Sequence, residues 1–148
     1  MKSENYHYSV GTDHWMTEML KPSTMAWSLV YKNTMYTSPN KGKSWKKIRT
    51  LDSEQNKKDT TRNLVENAKT THNAVCSEEE LEGIMHDTVE ADYKTLQAFK
   101  TDNHHKYWIS RKTGRVTKAF YKMKGKGFES LTTQIIEPTP GLTLPTPE

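Results

Sequence analysis

The stretch from Cys76 to Phe99, CSEEELEGIMHDTVEADYKTLQAF, decides how the rest of the chain is read. Its opening, Ser77-Glu78-Glu79-Glu80, has the form of a capping box, with a serine hydroxyl able to accept from the Glu80 amide while the Glu80 carboxylate reaches back. Cys76 and Leu81 then occupy the two positions of a hydrophobic staple, and the three glutamates suit the positive end of a helix dipole. Leu81, Ile84, Met85, Val89, Leu96 and Phe99 follow as one apolar stripe, so the spacing predicts a helix from Ser77 to about residue 99. Upstream, Leu64, Val65, Ala68, Thr71 and Val75 recur at helical spacing and predict a companion helix between residues 60 and 75.

Outward from these helices the period changes to two. On the N-terminal side, AWSLVY, TMYTS and SWKKIRTL are rich in β-formers and are separated by Lys32-Asn33 and by Pro39-Asn40-Lys41-Gly42, which predicts a three-stranded meander from Met25 to Leu51. On the C-terminal side, HKYWISR, RVTKAFYKM and FESLTTQIIE, with turns at Lys112-Thr113-Gly114 and at Gly125-Lys126-Gly127, predict a second meander. Before the first meander, Asp13 is placed to cap a two-turn helix carrying Trp15, Met16, Met19 and Leu20, ended by Pro22. The expected fold is therefore α+β: an antiparallel sheet of two three-stranded meanders, with the two central helices packed on one face to bury their stripes. Residues 1–137 are expected to form a single domain, and residues 138–148, PTPGLTLPTPE, a mobile Pro/Thr-rich tail.

Composition narrows the function classes. With 148 residues, 32% hydrophobic, the apolar inventory is thin, and four Trp, seven Tyr and three Phe must supply much of the core. The N-terminal MKSENYHYSV lacks the apolar run of a signal peptide, no window reaches 18 consecutive apolar residues, and the lone Cys76 excludes a disulfide within the chain. An intracellular, cytoplasmic setting is the expectation, ahead of secretion. Charge is segregated: residues 41–49 hold five Lys/Arg and no acid, 77–92 hold seven Asp/Glu and no Lys/Arg, and 103–128 hold eight Lys/Arg and no acid.

One local motif resembles a known family. Ser38-Pro39-Asn40-Lys41-Gly42-Lys43-Ser44-Trp45 is similar to the Asp-box of sialidases and related β-proteins, written S-x-D-x-G-x-[ST]-W, with Asn40 where the family has Asp. The likeness covers about residues 29–48 and implies a structural hairpin turn: the residue-40 side chain and hydroxyls bond the turn backbone, Gly42 takes a positive φ, and Trp45 packs beneath. Sialidases repeat the box around a propeller, and this chain has it once, so no sialidase activity follows. The same stretch ends in Gly42-Lys43-Ser44 like a P-loop, but Thr37 stands where the phosphate cradle needs Gly, and strand rather than helix follows.

No catalytic set assembles from the sequence. Asp92 falls inside the predicted stripe, and His104-His105 could serve it as base and orienter only if the fold brought them together. Glu82, His86 and Glu90, or His72 with Cys76, fit no metal pattern, Cys76 reads as a buried and inert thiol, and neither metal nor cofactor is expected. The basic, aromatic hairpins carry the functional signal: Lys106, Trp108, Arg111, Arg115, Lys118, Tyr121 and Lys122 are the candidate site for a polyanion, nucleic acid first. Strand parity divides them, since Lys106, Lys118 and Lys122 share one parity and Arg111 and Arg115 the other. The expected function is a non-enzymatic binding or interaction module. The alternatives are a small-molecule-binding protein or small enzyme with a pocket between sheet and helices, and an accessory protein of a virus or large assembly.

Overall fold

A computed structural model describes residues 2–97 and 99–147. Ten strands and one helix follow in order: β1 Glu4–Gly11, β2 His14–Lys21, β3 Trp27–Tyr31, β4 Thr34–Ser38, β5 Lys46–Thr50, α1 Ser53–Ala68, β6 His72–Leu81, β7 Ile84–Thr95, β8 Thr101–Ser110, β9 Val116–Gly125 and β10 Phe128–Ile135. Strands β1 to β5 make one antiparallel sheet and β6 to β10 another, each a meander in chain order. Two compact units result, one from the residues up to Asp59 together with those from Thr139 onward, the other from Thr60 to Pro138.

The expected α+β architecture is overturned. The two predicted meanders are parts of two five-stranded sheets, and a single helix replaces the two central ones. Residues 77–99 do not form a helix: Ser77-Glu78-Glu79-Glu80 lies in β6, and the stripe residues Ile84, Met85 and Val89 lie in β7. The deciding signal is Glu82-Gly83, whose positive φ values of 49° and 79° make a two-residue turn that pairs Leu81 with Ile84. Met85 and Val89 stand four apart, a spacing that satisfies a helix face and that a strand also reproduces, four being an even offset. Cys76, expected to be buried, is exposed on β6. The residues read as the first short helix form β2, zipped in register against β1 and β3.

α1 begins earlier than predicted, where the Asp52 carboxylate accepts from the Gln55 amide at 3.0 Å and caps the first turn. It buries no residue, and Leu64 and Val65 are exposed. In the first unit the core centres on β3, where the neighbours Leu29 and Val30 are both buried although they point to opposite sides of the strand. From the Pro/Thr-rich segment Leu144 is buried, and the His14 ring N–H at Nε2 donates to the Pro145 carbonyl at 2.9 Å.

The turn between β4 and β5 has the bonding that the Asp-box resemblance implies. The Ser38 hydroxyl, fully buried, donates to Asn40 Oδ1 at 2.8 Å and accepts the Gly42 amide at 2.8 Å. Asn40 Oδ1 also accepts the Ser44 amide at 3.0 Å, and its Nδ2 donates to the Ser44 hydroxyl at 2.8 Å. Asn40 thus supplies the acceptor an aspartate would supply, plus a donor. Gly42 sits at φ 82°, and a Cβ there would lie 3.1 Å from the Trp27 ring and 3.8 Å from Trp45. Gly42→Ala is therefore expected to destabilise the protein by about 1–2 kcal/mol. An unfolding midpoint in urea equal to wild type would contradict this account of the turn.

Candidate functional site

Cross-strand pairing fixes which side chains share a face of the second sheet. In β8, His104 stands opposite Asp92 of β7 and Lys122 of β9, and Lys106 opposite Glu90 and Phe120, so these groups point to one side. Trp108, opposite Thr88 and Lys118, belongs to the same side, as does Glu79, which pairs with His86. The intervening residues, His105 opposite Ala91 and Tyr121, and Tyr107 opposite Val89 and Ala119, point to the other side.

The first face is charged. Glu79 on β6 and Glu90 and Asp92 on β7 face His104 and Lys106 on β8, the lysines of β9 follow, and at the far end Asp102 on β8 and Glu129 on β10 both stand opposite Lys124. The His104 ring approaches Asp92 Oδ1 at 2.6 Å through Nδ1 and Glu90 Oε2 at 3.0 Å through Nε2. Carboxylates only accept, so the two contacts are satisfied together by the imidazolium form and favour it. The hydrogen bond to Asp92, then that to Glu90, raises the His104 pKa above its usual value, partial burial opposing. Asp92 is lowered by the Asn73 amide first, at 2.9 Å, and by His104 second. The structure thus brings together the Asp92 and His104 that sequence could not join, with both ring nitrogens engaged by carboxylates in an ion-paired strut.

Beside this strut the Lys106 ammonium donates to Glu79 Oε2 at 3.3 Å, and the ammonium groups of Lys106 and Lys118 each lie 4.7 Å from the centre of the Trp108 ring. The indole N–H is directed toward Glu79 without reaching full hydrogen-bond geometry, and its pull, followed by that of Lys106, lowers the Glu79 pKa. Trp108 is only 6% exposed. Along β9, Lys118, Lys122 and Lys124 share the face, and among the described residues none of the three makes an ion pair. A shallow depression of about 470 Å³ lies here, its lining including Asp92, Asp102, His104, Lys122 and Lys124.

The second face is aromatic. His105 sits among Tyr93, Tyr107 and Tyr121, with ring centres 4.6 to 6.0 Å apart and planes steeply inclined. Burial lowers the His105 pKa, and burial together with the neighbouring Tyr121 pushes the Tyr107 phenol up to about 12. Beneath them the buried Asn103 amide donates to Thr95 Oγ1 at 3.1 Å and Thr101 Oγ1 at 3.0 Å.

The seven sequence-named residues are therefore divided. Lys106, Trp108, Lys118 and Lys122 share the first face, and Tyr121 lies on the second, its hydroxyl donating to Gln134. Arg111, just past β8, donates to Glu78 and Asp87, which hold its guanidinium strongly protonated; Arg115 is exposed in the following turn. Sequence reading missed Lys124, which the two-residue period from Lys118 could have found, and missed Glu90 and Asn73 as partners, which no local pattern signals. Among the described residues no group of three or more His, Cys, Asp or Glu is placed to hold a metal ion, and no helix is long and apolar enough to cross a membrane. Comparisons with protein-family models, curated proteins and solved structures give no match.

The strut makes stability depend on pH in a definite sense. The raised His104 contributes below about pH 6.5 and is lost as pH rises through its folded value; the lowered Asp92 contributes above about pH 4 and is lost as pH falls through its folded value. The pair is thus fully engaged from about pH 4 to 6.5. Imidazole NMR is expected to show His104 titrating above 6.5 in wild type and moving down in Asp92→Asn, and identical midpoints would exclude the pairing.

Proposed function

We propose that this chain is a non-enzymatic binding module for a polyanion, nucleic acid first, engaged through the lysine row of β9. One observation carries the reading: Lys118, Lys122 and Lys124 stand on the same face and, among the described residues, make no ion pair, not even Lys124 with the Asp102 and Glu129 opposite it, whereas Lys106 and Arg111 are committed to Glu79, Glu78 and Asp87. Unpaired ammonium groups repeated every second or fourth residue follow a phosphate backbone and release its counterions. Arg115, exposed in the turn before β9, extends the positive strip. Base stacking is not part of this reading, because Trp108 is covered and Tyr121 faces the other way; binding by charge alone discriminates little between bases. A reducing, cytoplasmic setting suits such a role and the exposed Cys76 thiol.

With about three phosphate contacts, the affinity for single-stranded RNA or DNA is expected to fall with salt at a log–log slope of about −2. Fluorescence anisotropy between low and physiological salt measures it. Lys122→Glu with Lys124→Glu should abolish binding, and both positions are exposed, so the fold should tolerate the change. No binding at low salt, or binding indifferent to the charge reversal, overturns the proposal.

A further inference from the structure

We infer that the open edge of β10 is a self-association surface, on which β10 of a second copy of this chain pairs antiparallel. β10 ends its sheet, with β9 on one side only, and all eight of its residues are exposed. The Ile136 amide donates to the Thr117 carbonyl at 2.8 Å, so the even-numbered residues point their backbone groups at β9. The backbone N–H and C=O groups of Glu129, Leu131, Thr133 and Ile135 therefore point outward, and the complement to such a row is another strand.

Three observations select a second copy. First, a two-fold axis through Thr133 sets Leu131 of one copy against Ile135 of the other twice, and these side chains are 61% and 66% exposed in the single chain. Second, β10 stays in register with β9 through all eight pairs, whereas β1, the other edge with little charge, has a register shift near each end. Third, the remaining edges are guarded by charge, with Glu78, Glu79 and Glu80 on β6 and Lys46, Lys47 and Arg49 on β5, while β10 carries only Glu129.

Sedimentation equilibrium of the full chain tests this, with a twofold rise in mass as concentration increases. Thr133→Pro removes an outward amide and leaves the bonds to β9 intact, so it should weaken dimerisation by about tenfold or more while circular dichroism stays unchanged. Thr133→Cys in a Cys76→Ser background should form a disulfide-linked dimer under mild oxidation, which decides the matter if the proline variant misfolds. A wild type that remains monomeric throughout, a dimer that survives the proline in a folded protein, or no cross-linking at residue 133 would overturn the inference. None of these readouts involves nucleic acid, so the dimer and the lysine row stand or fall separately.

Discussion

A pleated strand gives each residue to one side of its sheet, and β8, flanked by β7 and β9, holds ten residues in that alternation. His104, Lys106 and Trp108 meet carboxylates and lysines only because they share a parity, and His105 and Tyr107 meet tyrosines for the same reason. A slip of one residue in β8 would set His104 and Lys106 on the aromatic side and bring His105 and Tyr107 among the charges. The partners on both faces therefore act together to specify one register. The ion-paired strut, the lysine pair on Trp108 and the tyrosine cluster are three local results of that single constraint.

Such specification matters because apolar burial is sparse. The described core hydrophobics are Leu29, Val30, Trp108, Ala119 and Leu144, while the second sheet buries His86, Thr88, Thr101, Asn103 and Ser110. Buried polar groups favour a fold only when they are paired, and several are. His86 donates from Nδ1 to the Ile84 carbonyl at 2.9 Å and meets the Thr117 hydroxyl at 2.8 Å, and the Ser110 hydroxyl accepts two turn amides. Ladder bonds and satisfied side chains thus take over part of the ordering that a larger apolar core would perform.

What was legible in the sequence follows from the same physics. Strands β3, β4, β5, β8, β9 and β10 announce themselves through β-branched and aromatic residues between turn residues, and the Asn40–Gly42 turn through its fixed polar spacing. Residues 77–95 read as helix because the Ser77–Glu80 pattern, taken alone, satisfies a helix start, and because Met85 and Val89 fit both periods. The Glu82-Gly83 turn is the local feature that separates the two readings, because it closes a hairpin. At the site, parity along β9 was readable, but the neutralisation of Lys106 and Arg111 was not, since Glu79, Glu78 and Asp87 reach them only across strands. The meeting of Asp92 with His104 is of the same kind: twelve residues apart in the chain, they face each other only once β7 and β8 are in register.

α1 buries no side chain and, unlike the strands that also bury none, has no ladder to a neighbouring element. Without tertiary packing a sixteen-residue helix lies close to the coil boundary in water, so its amide protons exchange with solvent through local fraying rather than through opening of either sheet. The boundary between the two units falls within this helix, at Asp59 and Thr60. A protease probing the native protein would thus meet its easiest substrate in this helix, and each piece would retain a complete five-stranded ladder while the segment from Thr139 onward still tied the second piece to the first.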